Sequence, residues 1–218
     1  MAAKEVEEFR DLVLRGPRGN REMLRSALIE RASSPWRHAE DVEEDLEHTN
    51  NAIAFQRDAG GGIDAATVFL WPHVGGGYEV TNIVPRGGDA LGYRKYNIVL
   101  DDFVTCLAKP AADATGFKIE TTAAMQGLED WLPEGAATAL RRFSTGANKA
   151  TGSSHPSDRH RWCLFILTAH RDHGSFNTER LMRWLHEAEG WPEDVAHDLA
   201  VEYEFGLDLL KEHERTST

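Results

Sequence analysis

Cysteine is almost absent from this chain: 218 residues contain two, Cys106 and Cys163. Neither belongs to a C-x-x-C pair, and no two histidines stand in H-x-x-x-H spacing. Neither a disulfide framework nor a zinc site is therefore expected, and the sequence implies no metal and no cofactor. The neighbours of both thiols are apolar, which predicts that they are buried in helices. No apolar run approaches the roughly 18 residues that a membrane span needs. The N-terminus, Met1-Ala-Ala-Lys-Glu-Val-Glu-Glu, lacks the hydrophobic core of a signal peptide. These absences predict a cytoplasmic protein of bacterial type that does not engage membranes. Base is scarce too: 24 Lys and Arg against 36 Asp and Glu leave a formal charge of −12. A chain that neutralises many phosphates needs a basic face, so general nucleic-acid binding is not expected.

What is present is enough for a core. Hydrophobic residues make up 41% of the chain, and its length suits one domain spanning 1–218. Three parts are expected: a helical 1–58, a β-containing 63–121 and a helical 122–214. Glu5 to Leu14 carries Val6, Phe9, Leu12 and Val13 at helical spacing, and Arg21 to Arg31 repeats the pattern. Ala39 to Arg57 reads as a longer helix whose acidic first turns suit the helix dipole. Ala66–Trp71 and Tyr78–Val84 flank Gly75-Gly76-Gly77 and read as a β-hairpin. Leu91 to Leu107 is helical in pattern, and Phe117–Thr121 is a third short strand. Beyond Thr122 helices return, with Pro133 opening one, Asn177 or Thr178 starting another, and Trp191-Pro192 preceding the last. In that last helix Val195, Leu199, Tyr203, Leu207 and Leu210 make a stripe that must pack. The fold class is thus α+β, predominantly helical: a small antiparallel hairpin-based sheet (about 66–84, plus 117–121) among helices, with a helical C-terminal third. The six tryptophans are expected to anchor the core.

One stretch departs from the acidic background. Residues 141–171 hold six Lys or Arg (Arg141, Arg142, Lys149, Arg159, Arg161, Arg171) and a single acid, Asp158. His155, His160 and His170 lie there, and His173 follows. Such an island suggests a held anion. Gly146 to Ser157 has the Gly- and hydroxyl-rich composition of a loop that can cradle an anion with backbone N–H groups. It is not a P-loop: Gly146 and Gly152 are one residue too far apart, and Ser153 stands where the lysine belongs. Ser157 is expected to cap the next helix, with Pro156 just outside it and Gly174 ending it. Asp158 and Arg159 at that helix start then either pin the fold or surround an anion. The candidate anion-binding residues are Lys149, Ser153, Ser154 and Arg159, and the candidate catalytic pair is His155 and Asp158.

Two other chemistries fail on their own requirements. His170-Arg171-Asp172 with Asn177 matches the letters of the protein-kinase catalytic loop, but no Gly-rich loop, V-A-I-K strand or D-F-G accompanies it. A metal-assisted hydrolase could draw on His155, Asp158, His160, His170 and Asp172. His160 and His170, however, are separated by roughly 15 Å of helix rise. Two function classes are left. The first is a soluble acidic cytosolic binding protein with one cationic pocket, the physical type of small immunity and antitoxin proteins. The second is an enzyme acting on a phosphorylated or nucleotide-like small molecule, with Lys149 and Arg159 on the anion and His155 as acid or base. The corresponding partners are a basic protein or a small anionic ligand. Converging side chains in a concave pocket would favour the enzyme; an apolar-centred patch rimmed by acids would favour partner binding.

Overall fold

The structure, a computed structural model, describes residues 4–44, 51–172 and 176–217. They group into two compact units: Glu7–Ala124, and Met1–Val6 with Met125–Thr218. The fold class is α+β, as composition and periodicity predict.

The first unit is built on a six-stranded, wholly antiparallel sheet. Its elements run β1 (Leu12–Arg15), α1 (Arg21–Arg31), β2 (Trp36–His38), α2 (Glu40–Glu44), β3 (Ile53–Arg57), β4 (Ala66–Pro72), β5 (Tyr78–Pro85), α3 (Tyr93–Phe103), α4 (Lys109–Thr115) and β6 (Lys118–Thr121). The strand order is β2-β3-β4-β5-β1-β6. A π-helical segment, Val104–Ala108, joins α3 to α4. Strand side chains two residues apart share a face. Leu12 with Leu14, Ile53 with Phe55, and Val68 with Leu70 accordingly enter one core with Leu24 and Leu28 of α1 and Leu100 and Phe103 of α3.

The expected hairpin forms as β4 and β5, with Val68 opposite Ile83 and Pro72 opposite Tyr78. Two N-terminal expectations are corrected. Glu5–Leu14 is not a helix: Val6–Glu7 and Leu12–Arg15 are strands. Leu12 faces Val80 on one side and Thr121 on the other, so β1 gains ladder hydrogen bonds along both edges. That pairing outweighs a weak helical pattern. Ala39–Arg57 is helical only over Glu40–Glu44, and Ile53–Arg57 is the fully buried strand β3. Residues 45–50 of that expected helix lie outside the described residues. The N-terminal part is therefore not helical as a whole, since it supplies half of the sheet's strands. Both thiols are exposed, not buried. Cys163 is one step of about 100° from Trp162, enough to turn it off the apolar face.

The second unit is helical: α5 (Leu128–Trp131), α6 (Glu134–Gly146), α7 (Pro156–Arg171), α8 (Thr178–Arg183) continued by a π-helical turn Trp184–Ala188, and α9 (Glu193–Ser217). Aromatic rings fill its centre. Phe143 stacks on Trp191 at 5.4 Å, and Phe165 on Tyr203 at 5.2 Å. Trp36, Trp162, Trp184 and Trp191 are all fully buried, each within its own unit. On α9, Leu199 and Tyr203 are buried, with Val195, Leu207 and Leu210 packed beside them. No helix among the described residues is long and apolar enough to cross a membrane.

Tyr203 carries a testable cost. Its hydroxyl is buried without a hydrogen-bond partner among the described residues. Burial pushes its pKa up to about 12, above the roughly 10 of an unfolded tyrosine. Tyr203→Phe removes the orphaned hydroxyl and is expected to stabilise the chain by about 1 kcal/mol at neutral pH. Between pH 10 and 12 the unfolded chain releases this proton while the folded chain keeps it, so wild-type stability falls as pH rises through that window. At pH 11 the advantage of the phenylalanine variant should widen by about 1.4 kcal/mol. Urea midpoints at pH 7 and pH 11 check both statements; an equal gap at the two pH values would contradict the second.

Candidate functional site

The polar loop before α7 is closed by its own hydrogen bonds. The Asn148 carbonyl accepts from Thr151 and Gly152 N–H, and Asn148 Oδ1 accepts from Ala150 N–H at 3.0 Å. Gly152 has φ +59°, and a Cβ there would lie 3.2 Å from Val195, so the loop backbone presses onto α9. Helix α7 starts two residues earlier than expected, with His155 and not Ser157 as its cap. Pro156 is its first residue, and the His155 Nδ1 accepts from Ser157 N–H at 3.3 Å. Proline suits that position because its missing N–H has no intrahelical partner to lose. Gly174, expected to end the helix, and His173 lie outside the described residues.

The six candidate residues engage different partners. Lys149 Nζ donates to the Glu189 carbonyl and lies 6.0 Å from the Trp191 ring centroid. Asp158 is buried: its Oδ1 accepts from Arg161 at 2.6 Å, its Oδ2 from Asn148 N–H at 3.3 Å. Arg159 points outward, with Nη2 3.9 Å from Glu202 Oε1. Ser153 donates to Glu202 Oε2 at 2.8 Å, while Ser154 and His155 are exposed. No side-chain hydrogen bond or ion pair joins Lys149, His155, Asp158 and Arg159 to one another among the described residues. Glu202 instead places a carboxylate against both Ser153 and Arg159, where an anion would be repelled. The kinase-like letters also have structural uses. His170 meets Glu214 at 2.9 Å, Arg171 pairs with Asp172 at 3.1 Å, and the Asn177 side chain caps α8 by accepting from Arg180 N–H at 2.7 Å. Among the described residues no three His, Cys, Asp or Glu side chains come together as a metal site requires.

The outer side of α9 is of another kind. Val201, Phe205 and Leu209 are 49%, 68% and 59% exposed. Their spacing of four places them in a row along the helix, opposite buried Leu199 and Tyr203. At 100° per residue, Asp194, Asp198, Glu204, Asp208 and Glu212 fall beside that row. Two of these acids have partners on α9 itself, Asp208 with Lys211 and Glu212 with Arg215. Exposed pairs of this spacing hold little energy and are easily exchanged. The inner stripe of α9 was legible from spacing. The outer row obeys the same periodicity half a turn away, and the second stripe was the signal for it. Comparison with protein-family models, with curated proteins and with solved structures finds no match to this chain.

Proposed function

We propose that this chain is a binding protein that docks a basic, amphipathic partner segment along the outer face of α9. The observation that carries the reading is the bare row Val201, Phe205, Leu209 flanked by acids. Each such side chain contributes about 1.5–3 kcal/mol when fully buried, so a partner gains by covering them. The flanking acids select a basic partner and speed its approach. They also disfavour a second copy of the same face, which would set carboxylate against carboxylate. A straight row with a four-residue period fits a helical ligand presenting its own i, i+4 apolar residues. The enzyme alternative built on Lys149, Arg159 and His155 draws no support from their contacts, since Glu189 and Glu202 engage the two cations.

Fluorescence anisotropy with a labelled amphipathic Leu/Lys helical peptide tests this reading. A scrambled peptide of equal composition is the control for charge alone. The amphipathic peptide should bind tighter than the scrambled one. Phe205→Asp, at a largely exposed position, should weaken binding by about 30-fold, the effect of losing roughly 2 kcal/mol at an interface anchor. Equal affinity for both peptides, or an unchanged affinity in Phe205→Asp, would overturn the proposal.

A further inference from the structure

We infer that the groove between α6 and α7 is a separate site for a small phosphorylated ligand with an apolar or planar body, such as a nucleoside monophosphate. This inference goes beyond partner docking on α9 and does not depend on it. The groove encloses about 480 Å³, within the range of small-molecule sites. Ala139 and Arg142 of α6 and Ser157, His160, Arg161 and Leu164 of α7 line it. Their spacings of three and four bring each set to one helix face.

The electrostatics of this groove are anomalous for the molecule. In a chain of charge −12, most Arg and Lys meet an acid. The Arg142 side chain has no ion pair or hydrogen bond among the described residues, nor does the His160 side chain. Arg161 shares the groove with both. Its Nη1 is held by Asp158, and its guanidinium lies over Gly146, where a Cβ would come 3.3 Å from Cζ. That arrangement fixes the plane of the fork while Nε and Nη2 make no hydrogen bond among the described residues. Arg142 and Arg161 also border an adjoining depression with Arg141. The nearby acids are committed. Asp158 is buried against Arg161, and Glu129 pairs with Arg141, which holds its carboxyl below the usual carboxylate range.

Two guanidinium groups facing one space repel until an anion enters. Phosphate suits them because a guanidinium fork matches two of its oxygens. Ser157 adds a hydroxyl donor. The rest of the ligand is specified by Leu164, 44% exposed, and Ala139, which give the same groove an apolar wall.

Isothermal titration at constant ionic strength with AMP, inorganic phosphate and adenosine tests the assignment. AMP should bind at least about tenfold tighter than phosphate, and adenosine should bind weakest. Arg142→Gln, a change at an exposed side chain that makes no bond among the described residues, should weaken AMP by about tenfold to a hundredfold, the effect of one charge-assisted hydrogen-bond pair. Arg171→Gln, at the far end of α7, removes the same charge and should leave affinity unchanged. Leu164→Ala should weaken AMP and leave phosphate alone. Absence of AMP binding at millimolar concentration would overturn the site. So would equal losses in Arg142→Gln and Arg171→Gln, which would mean diffuse charge attraction. Equal affinities for AMP and phosphate would overturn the apolar-body assignment.

Discussion

Alanine at position 77 should lower the stability of the sheet unit by more than about 4 kcal/mol, a loss reserved for substitutions that break a fold's geometry. Gly77 has φ +77°, and a Cβ there would lie 1.8 Å from the Leu14 carbonyl oxygen and 2.9 Å from its carbon. The obstacle is backbone, so no rotamer change relieves it. Leu14 is the register partner of Tyr78, and the two strands around them continue as Val13 with Glu79 and Leu12 with Val80. To admit a methyl group, β1 must move off β5, and the two buried apolar pairings, Leu12 with Val80 and Leu14 with Tyr78, go with it. The positive φ adds about 1–2 kcal/mol for any residue with a Cβ. Gly61→Ala supplies the comparison. Its φ is +62°, but nothing lies within 4 Å of the added carbon, so only the conformational cost of about 1–2 kcal/mol applies. Urea denaturation followed by circular dichroism should therefore separate the two variants widely. Similar midpoints for Gly77→Ala and Gly61→Ala would show that β1 does not approach the glycine turn this closely.

The same strand pairing explains what was legible beforehand. Ala66–Val84 is readable because alternation and the Gly75–Gly77 turn agree with each other. Helix α9 is readable because a long periodic stripe dominates its local sequence. Leu12–Arg15 and Ile53–Arg57 are not, because their state is decided by neighbours far along the chain. Leu12 sits between residues 80 and 121, and Phe55 between His38 and Val68. The cationic island is visible as a local excess of charge, but which of its members stay free is not. Lys149 is engaged by Glu189, and Arg159 and Ser153 face Glu202, all brought by the return of α9 or the turn before it. Arg142, His160 and Arg161 face one groove because α6 lies against α7. Linear charge counting therefore finds the island but not which of its members face the groove.

A second large effect is expected at Asp102. Its Oδ2 accepts from Arg57 Nε at 2.7 Å and from Trp36 Nε1 at 2.7 Å. The Arg57 side chain is 4% exposed, whereas that of Asp102 is 20% exposed. Arg57 keeps further contacts with the carbonyls of Asp58, Gly60 and Ile63, but none of these carries a full negative charge. Asp102→Ala leaves a buried guanidinium without its counter-charge and is expected to cost about 3–5 kcal/mol. The attraction itself is not the main source of that loss. A buried pair gains little net energy after both charges are desolvated, and the penalty comes from stranding one of them. Removing both should then be milder than removing one. The double variant Arg57→Met/Asp102→Leu should recover much of the loss, short of about 1–3 kcal/mol for the orphaned Trp36 N–H. Adding Trp36→Phe would remove that donor too, at the cost of packing in a filled core. Chemical denaturation of the single and double variants reads the coupling directly. A loss under about 1 kcal/mol in Asp102→Ala would mean that water screens Arg57. A double variant no more stable than Asp102→Ala would mean that the pair contributes by attraction and not by mutual neutralisation.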